Sequence, residues 1–312
     1  MKKIAFVFPG QGAQYVGMGK EFYNEFQFVK DLFHEADNIL GFKISEMILN
    51  GDEKELSKTE NTQPALLIVS TAILTLLKGK NINPDMVAGL SLGEYSALVC
   101  AGALSFKDGL MLVRKRGELM AKAMPEGKGA MAAILGAKKE NVEKLCEKSS
   151  CKGIIEIANY NCPGQIVISG AREAIEYAIE ISREFGVLRA IPLKVSGAFH
   201  CSLLDDASKK LQLELENIEI NELKIPYVTN VTGEVVSNNK NIKNLLKNGV
   251  KSSVLWEQSV NEMINNDVDI FIEVGSGKVL SSFIKKINRK VKVLNTENLQ
   301  DFNDVLEFLG RN

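Results

Sequence analysis

The chain has 312 residues, 45% of them hydrophobic and 25% charged, with a formal net charge of −1. That length holds one large α/β domain or two ordinary ones with a full core, and the near-zero charge argues against a nucleic-acid binder working through a broad basic surface. Five cysteines without a CxxC pair argue against a disulfide framework or a zinc site, so reduced thiols and a cytoplasmic setting are expected.

The first segment, "MKKIAFVFPGQGAQ", carries an apolar run of only five residues before Pro9, with no cleavage site of a signal peptide behind it. "KIAFVF" reads as a strand, and "FVFPGQGAQYVGMG" places glycines at 10, 12, 17 and 19 in the loop that follows. His34 falls in an amphipathic helix beside charged residues, where a surface role is expected. "PALLIVSTAILTLL" (64–77) is too short to span a bilayer and carries Ser and Thr, so it reads as a buried helix. A strand at "DMVAGLS" (85–91) then runs into a helix at "LGEYSALVCAGA". This alternation predicts a parallel sheet with helices on its faces.

The middle of the chain has a different order. "GAMAAIL" (129–135) reads as a strand, "KKENVEKLCEK" (138–148) as a helix, and "GIIEIANY" (153–160) and "GQIVISG" (164–170) as strands joined by a turn. "REAIEYAIEISREFG" (172–186) reads as a helix and "RAIPLKV" (189–195) as a strand. The order β-α-β-β-α-β predicts a ferredoxin-like unit. The α/β alternation resumes at "IPYVTNVTG" (225–233), "VDIFIEVGSG" (268–277) and "KVKVLNT" (290–296), so the unit is an insertion in a discontinuous larger domain. Clefts between such lobes are common ligand sites.

"GLSLG", residues 89–93, fits the GxSxG nucleophile elbow, a sharp strand-to-helix turn that lifts its serine clear of the sheet. A tight turn with an incidental serine is the bland alternative. A serine nucleophile needs a base, and the chain has only two histidines. His200 lies between an apolar strand and a helix starting near Ser202, where "S-L-L-D" resembles a capping box closed by Asp205. It is either that base or a histidine packed between lobes. Asp205 and Asp206 follow too closely to serve as an obvious third member, so a backbone carbonyl is the alternative partner for the ring.

In the helix "KDGLMLVRKRGELMAKAM" (107–124), Arg114 falls on a solvated face with Glu118, whereas Arg116 falls on the apolar stripe. A guanidinium facing inward needs an anion: an internal carboxylate or a substrate carboxylate. The opening loop fits neither the Rossmann fingerprint, because Tyr15 stands where glycine is required, nor a Walker loop. An elbow serine needs two N–H donors for its oxyanion, one from the following residue and one from a loop after another strand. Leu92 and the Gly10–Gln14 loop are the natural sources.

"FPGQGAQYVGMG", "TQPAL", "GLSLGEYSALVCAGALSF", "R-x-R-G-x-x-M", "NYNCPGQIVISG", "GAFHCSLL" and "EVGSGKVLSSFIKKI" occur in order across nearly the whole chain. Together they resemble the malonyl-CoA:acyl carrier protein transacylases. The resemblance implies an α/β-hydrolase-like core (1–127 and 196–312) with a ferredoxin-like subdomain (128–195). It also implies Ser91 as nucleophile, His200 as base, the Gln11 and Leu92 N–H groups as oxyanion hole, and Arg116 as clamp for the malonyl carboxylate. Gln63, Asn159 and Asn161 match positions near the cleft, and Gly249 matches the residue whose carbonyl orients the base. Two departures stand out. Leu90 replaces the histidine often found in the elbow, and Gly249 replaces a frequent glutamine.

The implied reaction moves malonyl from malonyl-CoA to the phosphopantetheine thiol of acyl carrier protein through a malonyl-serine ester, by ping-pong. It uses no metal and no bound cofactor, since malonyl-CoA is substrate. The implied partner is acyl carrier protein, with no nucleic acid and no membrane, and a monomer is expected. Alternatives are a serine acyl-thioesterase or hydrolase, a polyketide-pathway acyltransferase, and a non-catalytic or nucleotide-binding lobe built on the first loop.

Overall fold

The computed structural model describes residues 2–124, 127–195 and 197–311. Its first sheet comprises β1 (Lys3–Phe8), β2 (Met86–Gly89), β7 (Tyr227–Val228), β8 (Val235–Val236), β9 (Val268–Glu273) and β10 (Lys292–Asn295). Their order is β10-β9-β1-β2-β7-β8, parallel except for β8, which runs antiparallel to β7. The second sheet is antiparallel, ordered β4-β5-β3-β6, from β3 (Gly129–Leu135), β4 (Ile155–Cys162), β5 (Gln165–Ala171) and β6 (Arg189–Pro192). The chain is thus mixed α/β, with a largely parallel sheet and a second antiparallel one.

The near-continuous apolar run of β1 follows from burial of both faces under helices. Phe6 and Phe8 enter one core, while Ala5 and Val7 enter the opposite one. Each large side chain fully buried this way contributes roughly 1.5–3 kcal/mol. The antiparallel sheet has its own core of Ile134, Ile157, Ile166 and Ile168 under the helices Lys139–Ser149 and Arg172–Ile181. Register sets the site: Phe8 lies opposite Gly89 and Val7 opposite Glu273. The loops after β1, β2 and β9 therefore leave the sheet at one level, at the carboxyl edge where parallel α/β sheets place ligands.

Several expected elements come out changed. The buried helix runs from Thr59 to Gly79, and at 21 residues it is long and apolar enough to cross a membrane, although 78% of its most apolar window is buried here. Pro64 sits in its second turn, so the start lies upstream of the apolar run. The helix read over 172–186 is α only to Ile181 and tightens into a 3₁₀ turn at Ser182–Phe185, before Gly186 turns left-handed. The strand read over 189–195 ends at Pro192, and that read over 225–233 pairs only at Tyr227–Val228. No capping box forms at 202–205. Ser202 gives both its N–H and its hydroxyl to Glu156 of β4, a 3₁₀ turn spans Ser202–Leu204, and the α-helix begins at Asp205. Residue 196, where the larger subdomain was expected to resume, lies outside the described residues, as do the end positions 1 and 312.

Candidate active site

The Gly89–Gly93 turn joins β2 to the helix Gly93–Cys100 and holds Ser91 at φ 54°. A non-glycine residue in this region costs on the order of 1–3 kcal/mol and persists only where its surroundings enforce it. The two glycines make the turn possible: a Cβ on Gly89 would lie 1.9 Å from the Gly93 carbonyl carbon, and one on Gly93 would lie 2.1 Å from Phe8 O. The helix can therefore start against the end of β1 only if both positions lack side chains.

His200 arrives from the other side of the cleft, also at positive φ (57°), and puts Nε2 2.7 Å from Ser91 Oγ. Its Nδ1 lies 2.9 Å from Gly249 O and 3.2 Å from Ser252 O. Carbonyls only accept, so Nδ1 carries the proton and Nε2 offers its lone pair to the serine hydroxyl. Burial first, and then the Arg116 charge, bring the imidazole down to about 3 against the opposing pull of the two carbonyls. At neutral pH the ring is an uncharged base. Asp205 takes no part: it pairs with Lys209 and Lys251, and Asp206 pairs with Lys210.

Arg116, 3% exposed, comes from the inner face of the helix Phe106–Ala123. Its Nη1 donates to Gln63 Oε1 at 2.7 Å and its Nη2 to Ser91 Oγ at 3.1 Å, while Nε has no hydrogen-bond partner. The guanidinium stands 5.4 Å from the Tyr95 ring centroid. Among the described residues no carboxylate lies within ion-pair distance of it. Arg114, expected in solvent, is half-buried: besides Glu118 it binds Glu60 O and Asn61 Oδ1 and covers the Phe42 ring. His34 is exposed, beside Tyr23.

These groups face a cavity of about 220 Å³ between the two sheets. Gln11, Ser91, Leu92, Arg116 and His200 line it from the larger sheet's side, and Asn159 and Asn161 from β4. Gln63 and Gly249 stand behind Arg116 and His200 as their acceptors. Neither the Gln11 nor the Leu92 N–H donates a hydrogen bond within the protein among the described residues. Two free amides beside a serine–histidine pair can stabilise an oxyanion. Leu90, in place of the elbow histidine, also lines the cavity with its apolar side chain.

An acyl transferase domain model matches residues 5–300. The chain belongs to the acyl transferase domain family. The malonyl CoA-acyl carrier protein transacylase of Bacillus subtilis (strain 168) is 50% identical over 295 residues, 94% of this chain and 93% of that protein. The crystal structure of the enzyme of the same name from Clostridium perfringens ATCC 13124 superposes with a TM-score of 0.95 at 48% identity, covering 99% of this chain and 97% of that one. A malonyl-transacylase solved in complex with its type II PKS acyl-carrier protein superposes at 0.96, with 38% identity over 98% of this chain and 99% of that one.

Four residues that touch or adjoin this cluster gave no signal in the sequence. Asn230 and Ser252 act through a carboxamide and a backbone carbonyl set by tertiary packing. Glu94 and Tyr95 follow the elbow directly, but only the fold turns them inward beneath Arg116. Burial pushes the Glu94 carboxyl up to about 7, against the opposing pull of Thr229, the Asn230 N–H and Arg116. Among the described residues no group of three or more His, Cys, Asp or Glu side chains could hold a metal ion.

Proposed function

We propose that this acyl transferase moves a malonyl group from malonyl-CoA to the phosphopantetheine thiol of an acyl carrier protein, for fatty-acid synthesis. The observation that carries the substrate is Arg116, a buried cation without a carboxylate partner that reaches the same oxygen as the catalytic base. A bidentate guanidinium recognises a carboxylate at the far end of an acyl group. The names of the relatives from Bacillus subtilis and Clostridium perfringens support the same substrate pair.

In this reading Ser91 attacks the malonyl thioester carbon while its proton passes to His200 Nε2. The new oxyanion is held by the Gln11 and Leu92 N–H groups. The C–S bond breaks, the imidazolium returns its proton to the CoA sulfur, and malonyl-Ser91 remains. The carrier thiol then attacks the ester, giving its proton to His200, which passes it to Ser91 as the C–O bond breaks. Asn159 and Asn161 are placed to contact the acyl or pantetheine portion. The serine–histidine chemistry requires no metal or bound cofactor.

We read the larger sheet as an α/β-hydrolase-like core (1–127 and 196–312) and the antiparallel one as a ferredoxin-like insertion (128–195). The strand order β4-β5-β3-β6 supports the second assignment. A monomeric cytoplasmic enzyme that meets acyl carrier protein fits this architecture, and the complex with a type II PKS carrier supports the carrier as partner.

The test is intact-mass analysis after brief exposure to malonyl-CoA, followed by addition of acyl carrier protein. A malonyl adduct on the wild type, absent from Ser91→Ala and passed on to the carrier, is expected. Release of free malonate with no loaded carrier would make the protein a thioesterase instead.

A further inference from the structure

A single carboxamide braces the elbow. Asn230, 1% exposed, sits in the turn after β7. Its Oδ1 accepts the Ser91 N–H at 2.6 Å and its Nδ2 donates to Gly89 O at 2.6 Å, so it spans the turn from before the serine to the serine itself. Its own N–H donates to Glu94 Oε1 at 3.3 Å, and Glu94 belongs to the first turn of the helix that leaves the elbow. One residue thus ties the strand end, the serine and the helix start to one another. This bridge needs an acceptor for Ser91 and a donor for Gly89 within one short, uncharged group, which a carboxamide supplies. It also gives the Ser91 amide a partner of its own, leaving the next amide, Leu92 N–H, for the cavity.

We propose that Asn230 is the positioning residue that holds Ser91 at its positive φ and aims the Leu92 N–H, with Glu94 as its anchor. The proposal rests on the reading of Ser91 as nucleophile. Asn230 touches no substrate and acts through the backbone of the turn.

The experiment follows Ser91 labelling by two probes: malonyl-CoA, and a fluorophosphonate, which modifies an activated serine whatever its natural acyl group. For Asn230→Ala we expect the maximal labelling rate to fall about 10²-fold, the scale of one lost oxyanion donor, with half-saturation by malonyl-CoA within about threefold of wild type. Asn230→Asp is the sharper variant. As an ionised carboxylate it still accepts from Ser91 but opposes Gly89 O, whereas the protonated acid restores the donor. The titratable and charged groups around it are Glu94, Tyr95, Arg116, Tyr227 and His200, and dividing by the wild-type rate at each pH removes their shared contribution. The ratio of Asn230→Asp to wild type should fall about tenfold or more as pH rises from about 5.5 to about 8.5, since burial raises a carboxyl into that range. A ratio that is flat and low would reduce Asn230 to packing, and one flat near unity would make the carboxamide dispensable; either overturns the proposal.

If Asn230→Asp fails to fold, Glu94 carries the test. Both Glu94→Gln and Glu94→Ala remove the charge near Arg116, but only glutamine keeps an oxygen for the Asn230 N–H. Alanine should cost several times more labelling rate than glutamine, and equal losses would overturn the proposal. Labelling of wild-type Ser91 by the fluorophosphonate but not by malonyl-CoA would sink the malonyl reading alone, and labelling by neither would sink both.

Discussion

Arg116 Nη2 lies 3.1 Å from Ser91 Oγ, so the cation donates to the same oxygen whose proton points at His200. In the free protein the serine oxygen is one of the few acceptors the guanidinium has. A substrate carboxylate would draw that donor away and leave the oxygen's lone pairs free to attack. Selection of the acyl group and release of the nucleophile would then be one movement of one side chain.

Arg116→Ala tests this link. Loading from malonyl-CoA should fall by roughly 10²-fold or more, the penalty for losing a charged bidentate contact of about 3 kcal/mol. Loading from acetyl-CoA, which lacks the carboxylate, should be spared or gained. The readout is the ratio of the two adducts by intact mass, and an equal loss for both would make Arg116 structural.

His200→Ala should slow Ser91 acylation by about 10²–10⁴-fold, the range for a lost general base. The wild-type rate should show no loss near pH 6.5 that is due to His200, because burial and Arg116 move its protonation down to about 3. The sign for stability follows from the same shift. In the unfolded chain the ring takes up its proton near 6.5, whereas in the folded state it resists. Its contribution is therefore intact above pH 6.5 and is lost progressively as pH falls toward 3. Denaturant titrations of wild type and His200→Ala across that window should converge toward the acid end.

Glu94 has the opposite sign. Its folded carboxyl titrates near 7, against 4.5 when exposed, so it contributes stability below pH 4.5 that is lost as pH rises through 7. Glu94→Gln should gain on wild type over that interval by up to roughly 3 kcal/mol. The check is the difference in unfolding free energy at several pH values. A difference that shrinks with rising pH would contradict a buried, proton-holding Glu94.

Gly93→Ala should leave little folded protein, because its methyl would meet Phe8 O at 2.1 Å and neither backbone can move alone. A loss of about 3 kcal/mol or more is expected, at or above the upper range for overpacking. Gly79→Ala is the control. Nothing lies within 4 Å of that Cβ, and the melting temperature should hold or rise slightly.

What the residues revealed in advance follows from how local each signal is. β3 was legible to the residue because its apolar run is bounded by a glycine on each side, Gly129 and Gly136, and needs no partner to be recognised. The cluster of Ser91, His200 and Arg116 could be expected from the sequence because the GxSxG spacing marks the serine, while the chain offers only two histidines and seven arginines to set beside it. Ser202 misled, since the glutamate that captures it lies 46 positions away on β4. Asn230 was silent for the same reason, being 139 positions from the serine it holds.

The edge strand β4 is fastened beyond its own sheet. Asn159 forms a parallel bridge with Val254, Tyr160 N donates to Val254 O at 2.9 Å, and Val254 N donates to Ala158 O at 2.8 Å. Two residues before Val254 is Ser252, whose carbonyl helps hold the imidazole. The smaller sheet is therefore tied, through Val254, to the segment whose carbonyl stands behind His200, so a shift of that sheet would be felt at the imidazole. Under the proposed function, any widening of the cleft would then loosen the base together with it.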